Sequence, residues 1–324
     1  MNSYVLVRND IMSSFTEIFN KDDQILMEGA LLERLKRTYN VLIDKDVALA
    51  AAIYNEDYKN ILNELFVKYI NIANKYNLPI MITTPTRRAN KERISNSNYN
   101  EKIIEDNVLF LKEIRAKFNN DIFIGGLMGC YGDAYKDDDG LSIDDALAFH
   151  SWQADLFKKA EVDFLYAGIM PTLDESIGMA KAMERTLLPY IISFMIREDG
   201  KLIDGTTIND AIENIDSSTK RIPMCYMTNC VHPDIVYKAL SKNFNRTQIV
   251  KNRFRGIQAN AACLSPEELD NSCKLISSTP SNLAESMIKL QKDFNFKIFG
   301  GCCGTDDKFI EEIARQLVVK SKNL

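Results

Sequence analysis

Eight apolar runs of strand length, separated by stretches long enough to hold a helix, place the strongest constraint on how this chain can fold. They are QILMEG from Gln24, PIMITT from Pro79, DIFIGGLM from Asp121, DFLYAG from Asp163, YIISFMI from Tyr190, PMCYMTN from Pro223, RGIQANA from Arg255 and KIFGG from Lys297. The runs are near-continuously hydrophobic rather than alternating, which is the pattern of parallel strands covered on their outer face by helices. Between them lie segments of helical period: Tyr58 to Tyr76, with Ile61, Leu62, Leu65, Tyr69, Ile72 and Ala73 on one stripe, then Ile103 to Phe118, Ile143 to Ala160 and Phe309 to Leu317. Eight such units predict an α/β fold, a closed (β/α)8 TIM barrel in a single domain. The barrel is expected over residues 23–324. Residues 1–22 read as an N-terminal helical extension, a short helix and linker that covers either the barrel base or a dimer contact, so a homo-oligomer stays open. The polar loops YKDDDGLS from Tyr135 and REDGKLIDGTT from Arg197 read as connections within one domain.

Composition narrows the partners. No tract is long enough to span a bilayer, and the 40 Lys and Arg are dispersed in a chain of net charge -5, with no basic stripe to neutralise phosphates. Neither a membrane nor nucleic acid is expected as a partner. The opening MNSYVLVRND lacks a basic region followed by an apolar core, which predicts a cytoplasmic location. Seven cysteines, an odd number, argue for free thiols, a metal or catalysis over a disulfide framework.

Cys230 ends the sixth run, and Cys302 with Cys303 follow the eighth. In a barrel these strand ends face the active-site end, where thiolates from two segments can converge on one ion. Adjacent strand residues point to opposite faces, so Cys302 and Cys303 can share an ion only if the backbone turns sharply, which the flanking Gly300, Gly301 and Gly304 permit through positive φ. The plainer alternative is that cysteines are small core hydrophobes. Cys263 and Cys130 also follow strands near the barrel mouth. Cys263 either closes a four-thiolate structural shell or is a packed thiol. His232 is either a ligand or a residue leading into a helix. Cys225 and Cys273 read as structural and Trp152 as core. Tyr131 and Tyr135 are loop aromatics that either contact a donor or are simply exposed.

GGCCGT, the NC of Asn229 and Cys230, GIQANA, ISFMIREDGKLIDGT and the opening MEGALLERLKR together resemble the homocysteine S-methyltransferase family, betaine- and S-methylmethionine-dependent members included. The resemblance runs in order from about Gln24 to Leu317. It implies Zn2+ held by Cys230, Cys302 and Cys303, with an open fourth position for a small thiol substrate. It further implies methyl transfer from a donor to homocysteine, giving methionine, by a zinc-activated substrate thiolate with no side-chain base. Asn229 and Asn260 match family positions near the pocket, where their amides would bond substrate or orient loops.

The chain is a divergent member on this comparison. The family's first strand ends in Asp-Gly-Gly, whose carboxylate helps hold the substrate ammonium and whose amides hold its carboxylate; here Glu28, Gly29 and Ala30 take those places. The fourth-strand Glu-Thr-x-Pro becomes Gly168, Ile169, Met170 and Pro171. Either another acid replaces that glutamate, with Asp174 and Glu175 nearby but readable as first-turn helix acids, or the natural thiol is not homocysteine. Arg87 and Arg88 stand where many relatives carry an aromatic residue. They either contact an anionic group on donor or acceptor or are solvated residues at a helix start. Three further alternatives remain: the same chemistry on a different thiol, a corrinoid partner, or a non-catalytic zinc or redox-responsive protein with a closed thiolate site.

Overall fold

The computed structural model describes residues 14–21, 24–136, 140–263 and 278–321. Eight parallel strands close into one barrel in chain order. They are β1 (Ile25–Met27), β2 (Ile80–Thr83), β3 (Ile122–Gly129), β4 (Phe164–Met170), β5 (Tyr190–Phe194), β6 (Cys225–Val231), β7 (Phe254–Ala259) and β8 (Ile298–Gly301). All eight lie within or across the runs read from the sequence, and β1 pairs with β8 to complete the ring.

Side-chain parity explains why the runs look continuous. In β1, Ile25 and Met27 point into the barrel, where they join Met81, Phe123, Phe164, Tyr166, Ile191, Met227 and Ile298. Leu26 points outward into the larger shell that the helices cover. Both faces are therefore buried, as in parallel sheets generally. Gly125 makes room inside: a Cβ there would lie 2.4 Å from the Phe164 ring.

The outer layer includes α3 (Glu56–Lys75), α5 (Lys102–Arg115), α6 (Ile143–Lys159), α7 (Leu173–Glu184), α8 (Ile208–Ser218), α9 (Pro233–Leu240), α11 (Pro280–Phe294) and α12 (Asp307–Ser321). Shorter helices are α2 (Leu32–Arg37), α4 (Lys91–Ser95) and α10 (Gln248–Arg253). Side-chain caps start several of them, with Asn55, Ser142, Thr207 and Thr279 each accepting an amide of the first turn. Trp152 packs against the outer core, and Cys225 is fully buried inside the barrel. Cys273 lies outside the described residues.

The extension contributes α1 (Phe15–Asn20), which begins with a capping box between Ser14 and Glu17. Phe15 and Ile18 belong to the barrel-interior cluster, and the Phe15 ring stacks on Phe164 at 4.6 Å and meets Phe123 at 5.4 Å. Of the two roles open to the extension, the described part covers the barrel base. No helix of the described residues is long and apolar enough to cross a membrane.

Candidate metal centre at the barrel mouth

The three sulfurs of Cys230, Cys302 and Cys303 all lie within 4.8 Å of one another. Two backbone irregularities bring them there. The β6–β7 register shifts between Asn229 and Val231, leaving Cys230 as the extra residue at φ +61°. Such a bulge re-aims one side chain at a barrel rim. On the other segment, the Cys302 amide still pairs with the Ala259 carbonyl at 2.7 Å, and the chain then turns, with the Thr305 amide and hydroxyl both donating to the Cys302 carbonyl.

The glycines divide the work differently from the sequence expectation. Only Gly304, at φ +79°, supplies a left-handed turn residue. Gly300 and Gly301 instead allow close approach: a Cβ on Gly301 would meet the Thr305 hydroxyl at 2.1 Å, and one on Gly300 would meet the Met27 Cβ at 2.5 Å.

Asn260 links the two cysteine segments. Its Nδ2 donates to the Cys230 carbonyl at 2.7 Å, and its Oδ1 accepts the Cys303 amide at 3.2 Å. Asn229 acts similarly one strand away, with Oδ1 accepting the amide of Ile169 at 3.0 Å and the Ser193 hydroxyl at 2.7 Å. Ile169 is itself a positive-φ residue, at the register shift of β4 against β5. Both asparagines are thus engaged in holding bulges. Glu33 of α2 accepts the Gly304 amide, a clamp on the turn that sequence reasoning missed because nothing about a surface-type Glu in a helix marks its partner.

The thiols share charge. S–H donation from Cys230 and Cys302 pulls the Cys303 thiol down to about 3, with the Arg87 and Arg37 guanidiniums acting in the same direction. Donating those hydrogen bonds, with burial, holds the Cys302 thiol well up. Cys230 is also raised: the hydrogen bond to Cys302 lowers it, but that to Cys303 and burial outweigh it. Of the three, Cys303 is thus the thiol most readily ionised. A tetrahedral ion with metal–sulfur bonds of about 2.3 Å needs sulfurs roughly 3.8 Å apart. The observed spacing and the soft donor set fit a zinc-type ion. Cys263 groups with His232 and Asp234 rather than with this trio.

Glu28 lies at the end of β1 and is 3% exposed. Its Oε1 accepts the amide of Thr83 at 3.2 Å and the Thr83 hydroxyl at 2.5 Å, while Oε2 is buried without a partner. Burial pushes the carboxyl up to about 7, against the pull of the Thr83 hydrogen bonds. Tyr166, whose hydroxyl burial raises, also feels the charges of Glu28, Cys302 and Cys230, so acid and thiols border the same space. Gly29 passes close to Tyr69, and the Ala30 amide is already committed to the Thr305 carbonyl at 3.0 Å. That removes Ala30 as a free anion donor.

The other expected contacts separate. Arg87 is half-buried and near enough to lower the thiols; Arg88 is exposed. Tyr131 packs edge-on against Phe149 at 5.1 Å, and its amide donates to Glu175. Tyr135 is the loop tyrosine beside the trio: burial, then the charges of Cys230, Cys302 and Cys303, raise its hydroxyl. Glu175 is buried and bonded to His150 Nε2 at 3.0 Å as well as to Tyr131, and Asp174 is exposed. His232 caps α9, its Nδ1 accepting the Asp234 amide.

The family described as homocysteine S-methyltransferase matches residues 25–317. No protein of curated function matches by sequence. Among solved structures, the metallated homocysteine methyltransferase MmuM of Escherichia coli is 16% identical, with a TM-score of 0.73 over 93% of this chain and 99% of that one. The oxidized form of the same enzyme is 17% identical, with a TM-score of 0.73 over 92% and 97% of the two chains. At that identity the likeness speaks for the fold.

Proposed function

The chain belongs to the homocysteine S-methyltransferase family and is a methyltransferase; from that premise we propose that it transfers a methyl group to the thiol of homocysteine, at a Zn2+ ion held by Cys230, Cys302 and Cys303. The observation that carries this reading is the meeting of three sulfurs from two strand ends at the barrel mouth. When bound there, zinc lowers the pKa of the acceptor's thiol and keeps its sulfur nucleophilic at neutral pH.

The chain's own residues do the rest. The unpartnered Oε2 of Glu28 takes the acceptor's ammonium, which restores the charge that burial disfavours. The Gly29 amide stands next to it for the acceptor's carboxylate. Asn260 and Asn229 act as positioning residues that hold the strand ends around the cysteines, the second of the two roles open to them. Arg87 keeps the mouth electropositive, and Tyr135 covers it. The acceptor's thiol proton would pass to solvent, and its sulfur would take the methyl group in line as the bond from that carbon to the donor breaks and the donor leaves neutral, so no side-chain base takes part.

A second reading concerns the acceptor alone. With Gly168 at the family's glutamate position, Glu175 engaged with His150 and Asp174 exposed, Glu28 is the buried acid left for an ammonium, which favours a thiol less dependent on that group. One experiment addresses both: zinc-loaded protein is incubated with homocysteine or another small thiol and with S-methylmethionine, S-adenosylmethionine or betaine, and methylated product is followed by mass. Methionine formation supports the first reading, and a methylated product only from another thiol supports the second. No product from any pair removes both.

A further inference from the structure

Cys263 and His232, each a candidate ligand of the first ion by sequence, meet Asp234 instead. One donor atom from each of the three lies within 4.8 Å of the others. His232 and Asp234 open α9 after β6, and Cys263 follows β7, so two separate segments contribute. The hydrogen bonds around His232 fix its tautomer. Nδ1 accepts the Asp234 amide at 3.2 Å, so the ring proton sits on Nε2 and is donated to the Ser278 hydroxyl at 3.0 Å. Nδ1 is thereby left unprotonated 3.7 Å from Asp234 Oδ2, two electron-rich atoms facing each other. Metal-bound histidines are held in this way, the second ring N–H resting on an oxygen while the first nitrogen binds.

We infer that His232, Asp234 and Cys263 form a second binding site, for a borderline divalent cation such as Zn2+ or Co2+, separate from the three-cysteine centre. Nitrogen, sulfur and oxygen donors together suit that class over Mg2+ or Ca2+. His232 is 3% exposed and held on both ring nitrogens, whereas Asp234 and Cys263 face solvent, so a cation enters from outside against one fixed ligand. On binding, the Cys263 thiol proton passes to solvent, and the Asp234 amide exchanges its hydrogen bond to Nδ1 for water. The site is independent of whether the first centre methylates anything.

The test is a titration of the reduced, chelator-stripped full chain with Co2+, read by thiolate-to-cobalt absorption, and with Zn2+ by calorimetry. The intact protein should take up two equivalents, the second with weaker absorption because one sulfur is bound instead of three. C263S and H232Q should each lose one equivalent, and the C302S/C303S double variant should keep one. Position 263 is exposed, so C263S should fold normally, which circular dichroism checks. Uptake of a single equivalent by the intact protein, two by C263S, or none by the double variant overturns the site.

Discussion

Asn260 uses both ends of one amide to hold Cys230 against Cys303, so its loss should be felt first at the metal. N260A is expected to weaken zinc binding about 10- to 100-fold, measured by competition with a chromophoric chelator, the range typical of partners that orient ligands. N260D keeps the acceptor toward the Cys303 amide but loses the donor, and should fall between. Equal affinity in all three would remove the positioning role. Glu28 gives a prediction with a definite sign. Its folded pKa of about 7 lies above the ordinary 4.5, so the folded chain holds a proton the unfolded chain has released between those values. That contribution to stability is present in full below the lower value and is lost as pH rises through the upper one, about 3 kcal/mol in total. E28Q should therefore exceed the native chain in urea stability near pH 8 by up to ~3 kcal/mol and resemble it near pH 4. In the same variant, the rise in acceptor affinity with pH between about 6 and 8 should flatten, because ionised Glu28 no longer forms. Equal stability of the two proteins at the higher pH would show that Glu28 is not strained by burial. The cysteine trio was legible in the sequence because strand ends, glycines and adjacent thiols all point to one place. The partners of Asn260 and Asn229 were not, since neighbourhood in sequence does not reveal which atom a side-chain amide will bond.

Among the elements, α1 was legible only as a short helix with two possible roles, and the packing of Phe15 on Phe164 puts it against the barrel base. A helix of six residues has little stability of its own, so burial of Phe15 and Ile18 in the barrel base must hold it in place. F15A is expected to cost about 3 kcal/mol in urea unfolding by leaving a cavity beneath Phe164. Zinc affinity should be unchanged, because the base lies at the opposite end of the barrel from the cysteines. A loss of metal affinity matching the loss of stability would show that base and mouth are coupled. The strands were legible almost residue by residue, since two-sided burial leaves an unbroken apolar run. Their bulges were not: Cys230 and Ile169 adopt positive φ without being glycine, and only the hydrogen bonds from neighbouring strands impose that conformation. The two loop tyrosines could not be told apart for a similar reason: Tyr131 packs on Phe149, whereas Tyr135 lies beside the thiols.

At the scale of the whole molecule, an ion bound by Cys230, Cys302 and Cys303 would fasten the last three strands of the ring, β6 and β8 directly and β7 through Asn260. Barrel closure depends on the β8–β1 pairing, which has only two registered residue pairs, Ile25 with Ile298 and Leu26 with Phe299. A cross-link beside that seam would act where the ladder is short. Linkage then sets the size of the effect. Free zinc at a thousand times its dissociation constant stabilises the folded chain by about 4 kcal/mol. For a chain of this length that corresponds to a rise in melting temperature on the order of 6 °C. Chelation of the native protein under reducing conditions should lower the midpoint by that amount, and zinc should restore it. C303S removes one of the three sulfurs, so its midpoint should lie near the chelated value and respond little to either treatment. If chelation leaves the native midpoint unmoved while zinc is shown to have left, the ion does not brace the barrel. The three sulfurs would then serve the substrate alone.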